Sequence, residues 1–315
     1  MTMLVGHLQC VIKVSCVLDQ RIRAVAWESG QNNEDSQTIS LPHRVSTSNQ
    51  GIELMPSSFA MDSLRIKQIA EQIDARGFAR LNGALNSQEL RSLRTYTEAQ
   101  AALHKGEYFA HHGETLLGQS PLAALWESED FQRMLASLYR SATGKESTSQ
   151  EIFPVLRCVQ GNQGRRESNC FHFDASLVTV LVPIFIPAKG AERGDLMLFP
   201  NVRGVRRNAV LNAVEKALVQ NAFTRKLMVM AINRGWLKPE TLTLKPGDIY
   251  VFWGYRTLHA NKTCGPKVTR ATAIFHFGDP HAGSLTTRLI LQINQRRARR
   301  ASRKAGLGPS EVAPG

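Results

Sequence analysis

A histidine and an aspartate separated by one residue, His172 and Asp174, form the pair in this sequence best suited to chemistry. They precede an apolar stretch, 176–186, whose composition is typical of a buried strand. Side chains alternate along an extended backbone, so the imidazole and the carboxylate point to the same side. Together they can hold one metal ion, and a third ligand would complete a facial triad, the arrangement used for non-haem Fe(II).

The downstream sequence offers that third ligand and an anchor for an anion. His259 follows the strand-like segment 248–253, where an antiparallel barrel can return it to the first pair. Arg270 opens the next strand-like segment, with Thr272 facing the same side. A buried guanidinium needs an anion, and its planar fork matches a carboxylate. The distal carboxylate of 2-oxoglutarate meets this need, because its other end chelates iron.

The elements that must position these residues change in character along the chain. Helical spacing begins at Met61 and continues through 139, interrupted by a short strand at 77–81. Short strands separated by Gly, Pro and Asn turns follow. These predict an α+β, mainly β fold, a sandwich or a jelly roll, with N-terminal helices and a helical insertion. The predicted strands are 153–160, 177–186, 195–199, 242–244, 248–253 and 271–277.

Charge and composition divide the 315 residues into three parts. Residues 1–60 are predicted to be a poorly ordered extension, because 31–58 is rich in Gln, Asn, Ser and Thr without a period. The catalytic domain is assigned to 61–283, with an amphipathic, basic insertion at 203–241. Residues 284–315 form a basic tail. The segments 203–245 and 284–304 each carry a net charge of +7, against +13 for the chain, which points to an anionic partner. For the tail, simple solvation of a charged segment is an equal alternative.

The pattern formed by His172, Asp174, His259 and Arg270 resembles that of the Fe(II)/2-oxoglutarate-dependent oxygenases and, within them, the phytanoyl-CoA dioxygenase-like group. The resemblance covers about 61–282 and implies a double-stranded β-helix (jelly roll, cupin-like) that binds Fe(II) through His172, Asp174 and His259. It also implies 2-oxoglutarate held by Arg270 with Thr272, and O2 as the oxidant of a hydroxylase that releases succinate and CO2. The residues that carry the resemblance are His172-x-Asp174, Pro246-Gly247-Asp248, His259, Asn261 and Arg270.

Two departures from that pattern put phytanoyl-CoA in doubt as the substrate. Pro200-Asn201-Val202-Arg203 replaces the Pro-Gly-Ser-His turn of many members, and the insertion that follows is long and basic. Asn201 and Arg203 are therefore candidate substrate contacts. Arg157, on the strand before the His-x-Asp pair, is a third candidate, with simple strand packing as the alternative. The insertion is interpreted either as a lid or surface-docking element or as a helix packed on the outer sheet.

The expected substrate is an anionic or membrane- or carrier-bound small molecule or lipid. The alternative function is a non-catalytic or regulatory protein that docks on an anionic membrane or nucleic acid. Nucleic acid is disfavoured because the basic segments carry few aromatic residues. Five cysteines without a CxxC motif favour a reducing compartment. A cytoplasmic location is therefore expected, with peripheral membrane contact and the oligomeric state left open.

The remaining histidines are given no role in the chemistry. His104, His111 and His112 are assigned to a surface loop, because nothing strand-like flanks them. His276 and His281 are assigned a structural or exposed position.

Overall fold

Two antiparallel sheets form most of the C-terminal part of the described chain, and most of the helices precede it. The computed structural model describes residues 61–188, 190, 192–205, 219 and 221–281. The predictions for 1–60, for 284–315 and for most of 206–220 lie outside these residues. The strands are β1 (Ala79–Leu81), β2 (Phe109–His112), β3 (Ile152–Val159), β4 (Val178–Phe185), β5 (Leu196–Phe199), β6 (Glu240–Leu242), β7 (Ile249–Trp253), β8 (Leu258–Asn261) and β9 (Arg270–Phe277).

Helices occupy the N-terminal part and one position in the insertion. The first two begin at side-chain caps: Asp62 accepts the amide of Arg65, and Asn86 forms a capping box with Glu89. The helices are α1 (Ser63–Arg76), α2 (Ser87–Leu103), α3 (Glu114–Leu117), α4 (Ala123–Trp126), α5 (Glu129–Thr143), α6 (Gly161–Arg166) and α7 (Ala222–Asn233). Among the described residues, no helix is both long enough and apolar enough to cross a membrane.

The sheet topology is that of a double-stranded β-helix. The large sheet has the order β1-β7-β4-β9-β3-β2, and the small sheet has the order β6-β5-β8. A bridge between His172 and His259 adds the residues around His172 to the free side of β8. From β3 onward, successive strands therefore fall in one sheet and then the other, apart from the neighbours β5 and β6. This alternation confirms the predicted jelly roll.

Each face of the large sheet packs against a different layer. Odd-numbered residues of β9 and even-numbered residues of β4 join α1 and α5 in the largest apolar cluster. The opposite face, together with the small sheet, encloses a second cluster that includes Leu181, Tyr250 and Phe252. Side chains that face the interior of the barrel are therefore the even-numbered ones on β9 and the odd-numbered ones on β4.

The assignment of the His111 region to a surface loop is wrong. Phe109–His112 is the edge strand β2, and it pairs antiparallel with β3 from Cys158 to Val155. The segment is short and rich in histidine, so neither composition nor alternation marks it as a strand. Its conformation comes from backbone pairing with β3, which lies about forty residues away in the sequence.

Candidate metal centre

Backbone pairing brings the three predicted metal ligands together. The amide of His172 donates to the carbonyl of His259 at 2.9 Å, and the reciprocal bond is also 2.9 Å. This bridge sets the two imidazoles side by side, with ring centroids 4.2 Å apart. Asp174 lies two residues after His172 and faces the same side. Potential ligand atoms of His172, Asp174 and His259 all lie within 4.8 Å of one another.

Local backbone contacts present the same nitrogen of each histidine. Nδ1 of His172 lies 2.9 Å from the carbonyl oxygen of Cys170, and Nδ1 of His259 lies 3.1 Å from that of Thr257. A carbonyl oxygen only accepts hydrogen bonds, so each Nδ1 must carry the proton. In the neutral form of each ring, Nε2 then keeps its lone pair, and each Nε2 lies 3.6 Å from an oxygen of Asp174. This is the tautomer a metal ligand requires.

Asp174 is buried and is the charged centre of the cluster. Its Oδ2 accepts a hydrogen bond from the Thr179 hydroxyl at 2.5 Å and lies 3.8 Å from Nδ1 of His276. Burial by itself raises the pKa of this carboxyl, but the three nearby histidines and the Thr179 hydroxyl lower it by more. The net pKa lies below the ordinary value for aspartate, so the group is an anionic ligand at neutral pH.

Gly254 leaves the space that Asp174 occupies. Its carbonyl accepts the amide of Asp174 at 3.0 Å, at the end of β7. A Cβ on Gly254 would overlap both Asp174 Oδ2 and Thr179 Oγ1, and it would lie 3.0 Å from Asp174 Cβ. The close approach of these backbones therefore requires glycine at this position.

Arg270 is a buried cation that forms no ion pair with a described carboxylate, although the charge of Asp195 acts on it as a minor contribution that raises its pKa. It is 1% exposed, and neither Nε nor Nη2 has a hydrogen-bond partner among these residues. Burial, with a contribution from Arg157, lowers its pKa to about 10, so it remains charged at neutral pH. Gly194 packs against it, because a Cβ there would lie 2.6 Å from Arg270 Cδ. The buried hydroxyl of Thr272 likewise lacks a partner among the described side chains.

Arg157, a predicted substrate contact, also faces the interior of the barrel. It pairs in register with Thr272, on the strand next to Arg270. Its guanidinium lies 3.2 Å from a carboxylate oxygen of Glu167 and packs over the ring of Tyr108. Arg157 is thus placed beside Arg270, and it differs from Arg270 in forming an ion pair with a described carboxylate.

Asn201 and Arg203, the other predicted substrate contacts, make contacts that anchor the turn after β5. Asn201 adopts a left-handed conformation, and its side-chain amide donates to the carbonyl of Ile73 at 3.0 Å. The guanidinium of Arg203 lies between the rings of Phe173 and Tyr255, 4.0 Å from each centroid. Its Nε also donates to the Tyr255 carbonyl at 2.6 Å. A role in substrate binding stays a prediction for both residues.

Helix α7 of the insertion lies on the outer face of the small sheet. Its residue Met228 packs with Phe171, Phe173 and Leu258, which alternate with the inward-facing metal ligands. The described helix therefore fits the outer-packing interpretation of the insertion. A lid formed by 206–218 concerns residues outside the described ranges.

Three neighbours of Asp174 were not predicted from the sequence: Thr179, Gly254 and His276. Thr179 and His276 are opposite each other on β4 and β9, and both face the interior of the barrel. Side chains alternate along a strand, so His276 is predicted to lie on the same face of β9 as Arg270. The sequence contains no comparable signal for the pairing of β4 with β9.

The donor set fits a divalent iron site. Two imidazole nitrogens and one carboxylate converge from one side, which is the ligand set of the facial triad and leaves the opposite positions open. Cysteine thiolates, which would favour zinc or an iron–sulfur cluster, are absent from this group.

No protein-family model matches the chain, and no curated protein matches it. Among solved structures, it is similar to a prolyl 4-hydroxylase from Phytophthora capsici (15% identity, 75% of this chain and 71% of that chain, TM-score 0.48). It is also similar to the non-haem alpha-ketoglutarate-dependent carbocyclase SnoK from nogalamycin biosynthesis (13% identity, 83% of this chain and 96% of that chain, TM-score 0.47). A third similar structure is a 2OG-Fe(II) oxygenase-family oxidoreductase from Burkholderia pseudomallei (12% identity, 70% of this chain and 93% of that chain, TM-score 0.41). At such identities and TM-scores, similarity does not transfer an activity, so function must be derived from the side chains of the site.

Proposed function

We propose that this chain is a non-haem Fe(II)- and 2-oxoglutarate-dependent dioxygenase that acts as a hydroxylase. The observation that carries the proposal is Arg270, a fully buried guanidinium in the same barrel as a His-Asp-His cluster, whose Nε and Nη2 have no hydrogen-bond partner in the part of the chain that the structure describes. Buried polar groups in proteins are nearly always hydrogen-bonded, and buried charges are nearly always paired. A missing anionic ligand accounts for this exception.

2-Oxoglutarate matches both halves of the site. Its distal carboxylate can accept two parallel hydrogen bonds from the Arg270 fork and a third from the Thr272 hydroxyl. Its 2-oxo acid end would chelate a metal ion held by His172, Asp174 and His259, at positions that these three side chains leave open.

The protein's part in the reaction is binding, orientation and exclusion of water. When bound, the iron supplies O2 activation coupled to decarboxylation of 2-oxoglutarate, which yields succinate, CO2 and a hydroxylated product. The two Nδ1–H···carbonyl bonds hold both imidazoles in the ligating tautomer. Thr179 and Gly254 fix the carboxylate. The barrel walls bury the Arg270 anchor, so that its ion pair with the co-substrate is screened little by water.

The substrate is proposed to be an anionic or membrane- or carrier-bound small molecule or lipid, as in the phytanoyl-CoA dioxygenase-like group. Support comes from the two basic segments of the sequence. In the described part of the insertion, Arg225, Lys226 and Arg234 line one open groove on α7, with Phe223 and Trp236 exposed nearby. A basic surface with exposed aromatic residues is typical of contact with an anionic membrane or amphiphile.

The test is binding of 2-oxoglutarate to the metal-loaded protein without O2, measured by calorimetry for wild type and Arg270→Ala. Truncating one partner of a buried charge pair costs about 2–5 kcal/mol, which corresponds to weakening of roughly 30- to 4,000-fold. Arg94→Ala is the matched control, because that arginine is half-buried and donates to a backbone carbonyl of β4. It should retain wild-type affinity.

Equal affinity in wild type and Arg270→Ala would remove the anchor assignment. Absence of any 2-oxoglutarate binding to the metal-loaded wild type would instead favour the alternative, a non-catalytic binding protein on this fold. Succinate release measured against candidate substrate classes then identifies the substrate.

A further inference from the structure

The two histidine ligands do not determine which oxygen of Asp174 binds the metal. Oδ1 lies 3.6 Å from Nε2 of His172, and Oδ2 lies 3.6 Å from Nε2 of His259. By these distances alone, the carboxylate can bind through either oxygen or through both. The choice matters because a carboxylate bound through both oxygens would occupy one of the positions needed by 2-oxoglutarate and O2.

The protein encloses one of these oxygens much more tightly. Oδ2 accepts the Thr179 hydroxyl at 2.5 Å. It also lies 3.8 Å from His276 Nδ1, and the Gly254 backbone closes the same side so tightly that a Cβ there would overlap it. Strand pairing fixes this enclosure, because Thr179 lies opposite both Phe252 on β7 and His276 on β9.

The direction of the hydrogen bonds follows from the chemistry of the groups. The carboxylate only accepts, so the Thr179 hydroxyl must donate its single hydrogen to Asp174. The lone pairs of Thr179 Oγ1 then face His276 Nδ1 at 3.4 Å, a distance at which an Nδ1–H can donate. Thr179 is thus held between an acceptor and a donor, and its rotamer is fixed from both sides.

We propose that Thr179 is a positioning residue that holds Oδ2 of Asp174 and thereby presents Oδ1 to the metal as a single-oxygen ligand. The inference rests on the proposed function, since it concerns how the metal site keeps three positions open. It goes further by assigning that task to one hydroxyl. A hydrogen-bond partner of a ligating carboxylate generally changes metal affinity by about 10- to 100-fold when it is removed.

The experiment compares Thr179→Val, which removes the hydroxyl at nearly constant shape, with Thr179→Ser, which keeps it. Co(II) binding is titrated by visible absorption, and the spectrum at saturating Co(II) is recorded before and after addition of 2-oxoglutarate. The control is Thr97→Val on α2. That buried threonine also donates one hydroxyl hydrogen bond, to the Leu93 carbonyl at 2.7 Å, and it contacts none of the three metal-ligand candidates in the hydrogen-bond network described above.

We expect Thr179→Val to bind Co(II) about 10- to 100-fold more weakly and to show an altered spectrum even when saturated. Thr179→Ser and Thr97→Val should match wild type in both readouts. A purely structural role would leave the saturated spectrum unchanged. If Thr179→Val does not fold, Thr179→Ala provides the same comparison.

Two results separate failure of this inference from failure of the proposed function. Wild-type affinity and spectrum in Thr179→Val overturn the positioning role, as does failure of Thr179→Ser to restore them. If wild type binds Co(II) but its spectrum does not respond to 2-oxoglutarate, the proposed function fails. The effect of Thr179 on metal affinity is still measured in that case.

Discussion

Replacing Gly254 by alanine should disable the metal centre while leaving the fold in place. Gly254 has no left-handed backbone, so alanine introduces steric overlap and no backbone strain. The added Cβ would lie closer than 3.0 Å to Asp174 Oδ2 and to Thr179 Oγ1, and real Cβ atoms do not approach other atoms so closely. The carboxylate must therefore move by about 1 Å, and a displacement of that size can lower the reaction rate of an active site about 100-fold.

The assay is titration of Co(II) into apo protein, followed by thermal unfolding of each variant. We expect Gly254→Ala to weaken metal binding by about 10- to 100-fold, the usual effect of changing a group that orients a metal ligand. Unfolding free energy should fall by about 1–3 kcal/mol, the usual cost of overpacking a well-packed interior. Gly204→Ala is the control, because a Cβ there would meet nothing within 4 Å. Wild-type metal affinity in Gly254→Ala would refute the argument that this glycine sets the position of Asp174.

Two further predictions concern groups outside the metal centre. Asp248→Asn should lower the free energy of unfolding by about 1–3 kcal/mol, because the buried carboxylate accepts from Arg80 and from the Gly83 amide at 2.7 and 2.8 Å. Urea unfolding measures this loss. The control is Glu71→Gln, which breaks an exposed ion pair with Lys67 and should change the free energy of unfolding by less than about 0.5 kcal/mol. Equal losses in the two variants would contradict the argument from burial. Burial, with a smaller contribution from Cys264, raises the pKa of Cys158 to about 12. Iodoacetamide at pH 8 should therefore leave Cys158 unmodified until the protein is unfolded, as peptide mass spectrometry can show.

The helices and most strands were predictable because their signals are local. Helical spacing before residue 140 and the apolar composition of β4, β7 and β9 follow from side-chain burial on one or both faces. Asp62 and Asn86 caps are also local, since each bonds to an amide within three residues. Strand β2 was not predictable in this way, because it is an edge strand stabilised by a partner distant in sequence.

The metal centre was also predictable only in part. The types and spacing of His172, Asp174 and Arg270, together with strand alternation, predict which side chains share a face. They do not indicate that Arg157 has Glu167 as a neighbour or that Arg203 lies between two aromatic rings. Those contacts depend on loops and turns whose paths the alternation pattern does not specify.

The sequence by itself determined the ligand types and the face of each strand, because an extended backbone turns every second side chain to the same side. Only the tertiary structure decided that Thr179, Gly254 and His276 surround Asp174, because cross-strand register between β4, β7 and β9 sets those neighbours. It also placed α7 on the outer side of the small sheet. Register and layer packing arise from contacts between residues far apart in the chain, and a local sequence pattern does not specify them.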